Sequence, residues 1–468
     1  MSESAVLNTT SKRVVMVSAV AALGGFLFGF DSAVINGAVD AIRDDFGLGS
    51  VLLGFTVSCA LLGAMVGAWG AGPLADRQGR IRAMLIAAAL FTVSAVGSGL
   101  CVGVVDLIIW RFIGGIGVGM ASVLAPAYIA EVSPAHSRGR LGSLQQLAIV
   151  TGIFAALLSA ALIAAAAGGA GEVAWLGLEA WRWMFLTELA PAVLYGMLAL
   201  RLPESPRYLV AQNEFAKAGS VLSDVVGIRG KAAVEEKIAA IKATINVETR
   251  QGLHTLTGGR AWLLPIVWVG ILLSVFQQFV GINVIFYYST SLWRSVGFTE
   301  ADSFTVTVIT SVTNIAVTIV AIALVDKIGR KPLLLAGSAG MTLALGLMAV
   351  SFSQATGSGE DVTLPQPWGM VALLAANLFV VSFGASWGPV VWVLLGEMFS
   401  NKMRAVALSV AAAAQWLANF VITTTFPWLA DIGLVLAYGL YATFALLSLF
   451  FVWKFVEETK GKELEAMR

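Results

Sequence analysis

Apolar runs, each close to the length of a bilayer crossing, repeat down almost the whole chain. A helix needs about 20 such residues to cross the hydrocarbon core. By that measure spans are predicted near residues 14–39, 51–72, 83–104, 107–130, 142–167 and 183–202. A polar stretch intervenes, and six more follow near 262–293, 303–325, 333–353, 369–396, 404–430 and 433–455. The pattern therefore predicts an all-α integral membrane protein in two six-helix halves, residues 1–204 and 261–468, joined by a linker at 205–260. Within the linker, Glu214 to Leu222 and Ala232 to Ile245 read as short amphipathic helices on the membrane surface.

One span breaks the apolar pattern. Gln277, Gln278, Asn283, Tyr287 and Tyr288 sit where a lipid-facing helix would carry aliphatics. A buried amide without a partner costs about 1–3 kcal/mol, so something polar must meet them. On an ideal helix Gln278 and Asn283 lie ~140° apart; a break at Gly281 would turn both amides toward one cavity. Neutral amides and phenols around one space suit an uncharged, polyhydroxylated ligand. Interhelical hydrogen bonding alone is the simpler alternative.

Composition agrees with the spans. The chain is 58% hydrophobic and 12% charged over 468 residues, against about 25% charged in soluble domains. Its first apolar stretch is too long for a signal-peptide core and contains Asp31, so it reads as retained. Cys59 and Cys101 lie in apolar segments, and His136 and His254 in loops. No metal cluster, nucleophile motif or phosphate loop is present, so no metal, no cofactor and no enzymatic activity are expected. Charge sets the orientation: with both termini in the cytoplasm, 25 of the 29 Lys and Arg residues fall on the inner side.

The halves repeat each other's polar signals. Gly72 through Arg80 follows the second span and Asp326-Lys-Ile-Gly-Arg330 the eighth. Glu131 with Arg138 follows the fourth, and Glu397 with Arg404, at the same spacing, the tenth. Pro203-Glu204-Ser-Pro-Arg207 ends the sixth span and Glu457-Glu458-Thr-Lys-Gly461 the twelfth. Such a duplication is characteristic of transporters with the ligand at the interface of two halves. Asp76, Arg77, Glu131, Arg138, Glu397 and Arg404 then read as ion-pair latches at cytoplasmic helix ends.

With these motifs the chain resembles the sugar porter family of the major facilitator superfamily over nearly its whole length. The carrying residues are Gly72–Arg80, Arg111-Phe112, Glu131-Val-Ser-Pro134 with Arg138-Gly139, Pro203–Arg207, Gln277 through Tyr288, Asp326–Arg330 and Gly461-Lys-Glu-Leu464. Ser386-Trp-Gly-Pro-Val-Val-Trp392 and Gln415-Trp416-Leu-Ala-Asn419 look close to bacterial glucose–proton and xylose–proton symporters. The resemblance implies sugar contacts at Gln146, Gln277, Gln278, Asn283, Asn314, Trp392 and Gln415, with Tyr288 and Phe28 as candidate gates. The chemistry suits them: amides pair hydroxyls that both donate and accept, and Trp392 can cover an apolar sugar face. Gly384 departs from the acidic residue many facilitative members carry there.

Asp31 bears on the choice between symport and passive diffusion. A carboxylate inside the first span costs about 2.5–3.5 kcal/mol, and the resemblance associates an acid there with proton symport, with Arg111 as counter-charge and Glu188 as a second carboxylate. Expected partners are a monosaccharide, a proton and the bilayer, with no nucleic acid, in a multi-pass protein of the cell membrane acting as a monomer. Glucose is the first expectation; xylose or galactose symport, passive uniport and a sugar-sensing receptor are the alternatives.

Overall fold

A computed structural model of the protein describes residues 12–134, 138–248, 256–257, 263–356, 363–399 and 403–459, and its side chains except 138–140, 244, 246–248, 325–326 and 404–405. His136, His254 and the Gly461–Leu464 motif lie outside the described residues.

The predicted crossings form helices. Eleven among the described residues are long and apolar enough to span a bilayer: span 1 Lys12–Phe46, span 2 Ser50–Gln78, span 3 Arg80–Gly99, span 4 Val104–Val132, span 5 Leu141–Ala167, span 7 Pro265–Arg294, span 8 Glu300–Leu324, span 9 Arg330–Phe352, span 10 Trp368–Met398, span 11 Val406–Ile432 and span 12 Leu434–Phe455. The sixth crossing differs from the expected single run. It is built of Ala180–Leu186 and Leu189–Ala199, with a turn at Thr187–Glu188. Pro191 explains the turn: it has no N–H to give Thr187, and its ring crowds the Thr187 carbonyl.

Close backbone contact sets the packing of the first half. A Cβ at Gly63 would meet Phe112 O at 2.1 Å, and one at Gly67 would meet Ile116 O at 2.1 Å. In return, Cβ atoms at Gly115 and Gly119 would lie 2.0 Å from Ala60 O and Ala64 O. Spans 2 and 4 thus touch through two Gly-x-x-x-Gly faces, a device suited to lipid, where burial of apolar surface drives little helix association. Gly29 and Gly152 do the same between spans 1 and 5, each aimed at a carbonyl 2.0 Å from where a Cβ would stand. Span 2 packs on span 11 and span 5 on span 8, which joins the halves.

The linker carries helices Pro206–Ala211, Phe215–Val221 and Lys231–Glu248, close to the sequence expectation. Ile238, Ile241 and Ile245 of the last pack against the apolar core of the first half, so its apolar face is covered by protein.

Candidate functional site

Besides the sixth, three crossings open within the bundle. Span 1 passes through a short 3-10 segment, Ile35–Ala38; span 7 changes helix at Gly281, with φ +84°; span 10 is divided between Trp368–Gly384 and Trp387–Met398. Backbone groups freed at such breaks need partners in protein or a water-lined cavity, so breaks mark where a membrane protein handles polar cargo.

At the span 7 break the amides meet as the sequence suggested. Asn283 Nδ2 donates to Gln278 Oε1 at 2.6 Å, Gln278 Nε2 to Gln277 Oε1 at 3.4 Å, and Gln277 Nε2 to Trp387 O at 2.8 Å. A side chain at 281 would strike the Tyr441 ring at 2.7 Å, so both φ and space call for glycine. Gln277 and Gln278 are buried and Asn283 is half-buried. Trp392, on the second part of span 10, is 43% exposed. Gln415 has its Oε1 buried and unpartnered, and Asn314 stands 3.5 Å from a Cβ placed at Gly384. Gln146 is half-buried, whereas its neighbour Gln145 is buried with neither amide atom partnered. Of the two gate candidates, Phe28 lies 5.8 Å from the Trp416 ring and Tyr288 donates to Thr423 O at 3.0 Å.

The intramembrane charges form one cluster. Arg111 Nη1 donates to Asp31 Oδ1 and to Asp31 O, each at 3.1 Å. Both side chains are no more than 2% exposed. Glu188, carried at the span 6 turn, is 1% exposed and its carboxyl contacts that of Asp31. Gly114 makes the approach possible, since a Cβ there would lie 2.3 Å from Ser94 Oγ and 3.0 Å from Asp31 Oδ1. Two ionised carboxylates have no hydrogen to share, so this contact is a bond only when one of them holds a proton.

The latch acids are held by two arginines that the sequence did not assign to them, Arg80 and Arg330. Glu131 is gripped by Arg80, with Nε to Oε2 at 3.0 Å and Nη2 to Oε1 at 2.9 Å, while Asp76 pairs with Arg80 at 3.0 Å. Glu397 is held in the same fork by Arg330, at 3.0 and 2.7 Å. Glu204 accepts from the backbone N–H of Arg80 and Ile81, and Glu458 from those of Arg330 and Lys331. The Arg77 side chain is exposed, and those of Arg138 and Arg404 lie outside the described residues. Sequence order alone could not show which of several clustered arginines reaches an acid 51 positions away.

A clasp between the halves escaped the sequence reading altogether. Asn36 donates to Phe286 O at 2.8 Å and Ser289 Oγ at 3.1 Å, and its Oδ1 accepts from Thr290 Oγ1 at 2.5 Å. Asp40 accepts from Ser291 at 2.8 Å and pairs with Arg294 at 3.0 Å; Ser50 bonds Asp431. These contacts close the bundle on the face away from the chain ends. The one sequence signal was an asparagine beside Gly37 inside an apolar span.

A profile of the family described as "Sugar (and other) transporter" matches residues 17–468. The chain belongs to the sugar porter family of the major facilitator superfamily. This sugar porter is 61% identical to the glucose transport protein of Synechocystis sp. strain PCC 6803, over 97% of each chain. It is 37% identical to the D-xylose-proton symporter of Escherichia coli K12, over 98% of this chain and 95% of the other. The inward-open structure of the xylose transporter XylE from E. coli superposes with a TM-score of 0.81, covering 97% of this porter and 99% of that chain. The sugar porter is a membrane transporter and not an enzyme.

Proposed function

We propose that the protein imports a monosaccharide, glucose first, together with protons by alternating access, with both termini in the cytoplasm. The observation that carries the proton is the buried cluster of two carboxyls on one guanidinium, Asp31 and Glu188 around Arg111. Ionisable groups inside a membrane are costly and mark proton relays and ion pathways. In this reading ionised Asp31 holds Arg111, and protonation releases it so that the halves can rock about the site. Gln146, Gln277, Gln278, Asn283, Asn314, Trp392 and Gln415 would contact the sugar. Glucose is favoured by the name of the 61% relative, and xylose by that of the 37% relative. The lysine and arginine distribution supports the orientation. One chain suffices as the functional unit, because both halves and all the residues named above come from it.

The test uses proteoliposomes with an imposed pH gradient. Wild type accumulates labelled glucose; Asp31→Asn exchanges it but does not accumulate it, since the amide resembles the protonated acid in shape and hydrogen bonding. Simple equilibration by wild type would establish a uniporter instead. Competition by unlabelled xylose and galactose ranks the sugars.

A further inference from the structure

Beside the Asp31–Arg111 pair lies a cavity that the proton cycle above leaves without a role. Val57, Ala60, Leu61 and Val118 wall it, and Asp31, Ser32, Arg111 and Tyr287 give it polar edges. It has room for about one water. Asp31 Oδ2 and Arg111 Nε are buried with no hydrogen-bond partner. A water is retained where two to four polar partners converge, and four of the eight lining residues carry polar side chains. The Tyr287 side chain also meets those of Ser32 in span 1 and Asn419 in span 11. Asn419 is one turn beyond Gln415, and Tyr287 is one turn beyond Asn283.

We propose that Tyr287 is the positioning residue that ties proton occupancy to sugar occupancy, acting on Asp31 through one water held in this cavity. The inference rests on the proton-coupled reading given above. Ionised Asp31 can only accept, so the water donates to Oδ2 and takes the Tyr287 O–H as its own donor. Asp31 protonated at Oδ2 donates to the water instead of to Glu188, the water then donates to the Tyr287 oxygen, and the phenol hydrogen turns to Asn419. Only a proton moves, delivered to Asp31 Oδ2, and nothing is oxidised. The direction of one hydroxyl thereby carries the charge on Asp31 to spans 7 and 11, which bear Asn283 and Gln415. The titratable groups facing Asp31 are Arg111 of span 4, Glu188 of span 6, Cys59 of span 2 and Tyr287 itself.

The experiment compares wild type, Tyr287→Phe and Ser32→Ala in proteoliposomes, with labelled glucose as the probe. Three readings are taken: equilibrium exchange, accumulation under a pH gradient, and the pH profile of glucose affinity. Tyr287→Phe is expected to lose at least fivefold more in accumulation than in exchange and to flatten the pH profile, with Ser32→Ala shifted the same way. An unchanged profile and accumulation in Tyr287→Phe overturns the proposal, as does loss of exchange in step with accumulation, which makes Tyr287 a plain sugar contact. Should Tyr287→Phe fail to fold, Ser32→Ala decides on the same readings, together with a wild-type structure able to resolve ordered water: a bridging water supports the proposal, and a dry cavity overturns it. Failure of the symport reading is distinguishable, because wild type itself would then show no accumulation.

Discussion

At the scale of single residues, the amide chain from Asn283 through Gln278 and Gln277 to Trp387 O makes a definite prediction. Gln278→Ala or Asn283→Ala should weaken glucose binding by about 1–3 kcal/mol, the cost of leaving polar groups unpaired. Binding titrations of purified protein check this, and unaltered affinity in both variants removes span 7 from the site. The sequence made this group legible, because polar residues clustered around a glycine are anomalous in an apolar run. The roles of Arg80 and Arg330 as partners of Glu131 and Glu397, of Tyr287 as a neighbour of Asp31, and of Asn36 across the halves were not legible. Arg80 and Arg330 look like ordinary topological charge, Tyr287 like a neighbour of Tyr288, and the partners of Asn36 lie 250 or more positions away. Periodicity can place such a residue on a helix but cannot choose its partner across the fold.

At the scale of elements, the glycine faces between spans 2 and 4 leave no room for a side chain. Gly115→Val would have to force the helices apart and should lower the melting temperature and the yield of folded protein. Gly346→Ala, in span 9 where a Cβ meets nothing within 4 Å, serves as the control and should be neutral or slightly stabilising. Equal melting temperatures for the two variants would show that the close packing carries no energy. The positions of the crossings were legible from hydropathy, since length and apolarity are local properties. The turn at Thr187–Glu188 was less so: Pro191 was visible, but a proline in a helix can kink it, end it or leave it continuous.

At the scale of the whole molecule, the clasp of Asn36, Asp40 and Arg294 holds the halves together on the face away from the termini. Each hydrogen bond contributes a net ~0.5–1.5 kcal/mol. Asn36→Ala should therefore shift the population toward the state open on that face by on the order of tenfold. Labelling of a cysteine introduced behind the clasp reports the shift, and labelling at the wild-type rate would mean that the clasp does not set the equilibrium. The two-half architecture itself was legible from the repeated motifs, while the face that stands closed depends on contacts between halves that no local pattern encodes.

The pairing of two carboxyls with a single guanidinium has an electrical consequence. The proposed sugar is uncharged, so each transported proton leaves the loaded site one elementary charge more positive than the empty one, whichever carboxyl carries it. Uptake would then be electrogenic. One charge crossing 100 mV is worth about 2.3 kcal/mol, equivalent to a sugar ratio on the order of 40-fold. A potassium diffusion potential, negative inside and applied with equal pH on both sides, should by itself drive glucose into the vesicles while leaving equilibrium exchange unaltered. A voltage with no effect on net uptake would mean that the cluster carries no net charge across.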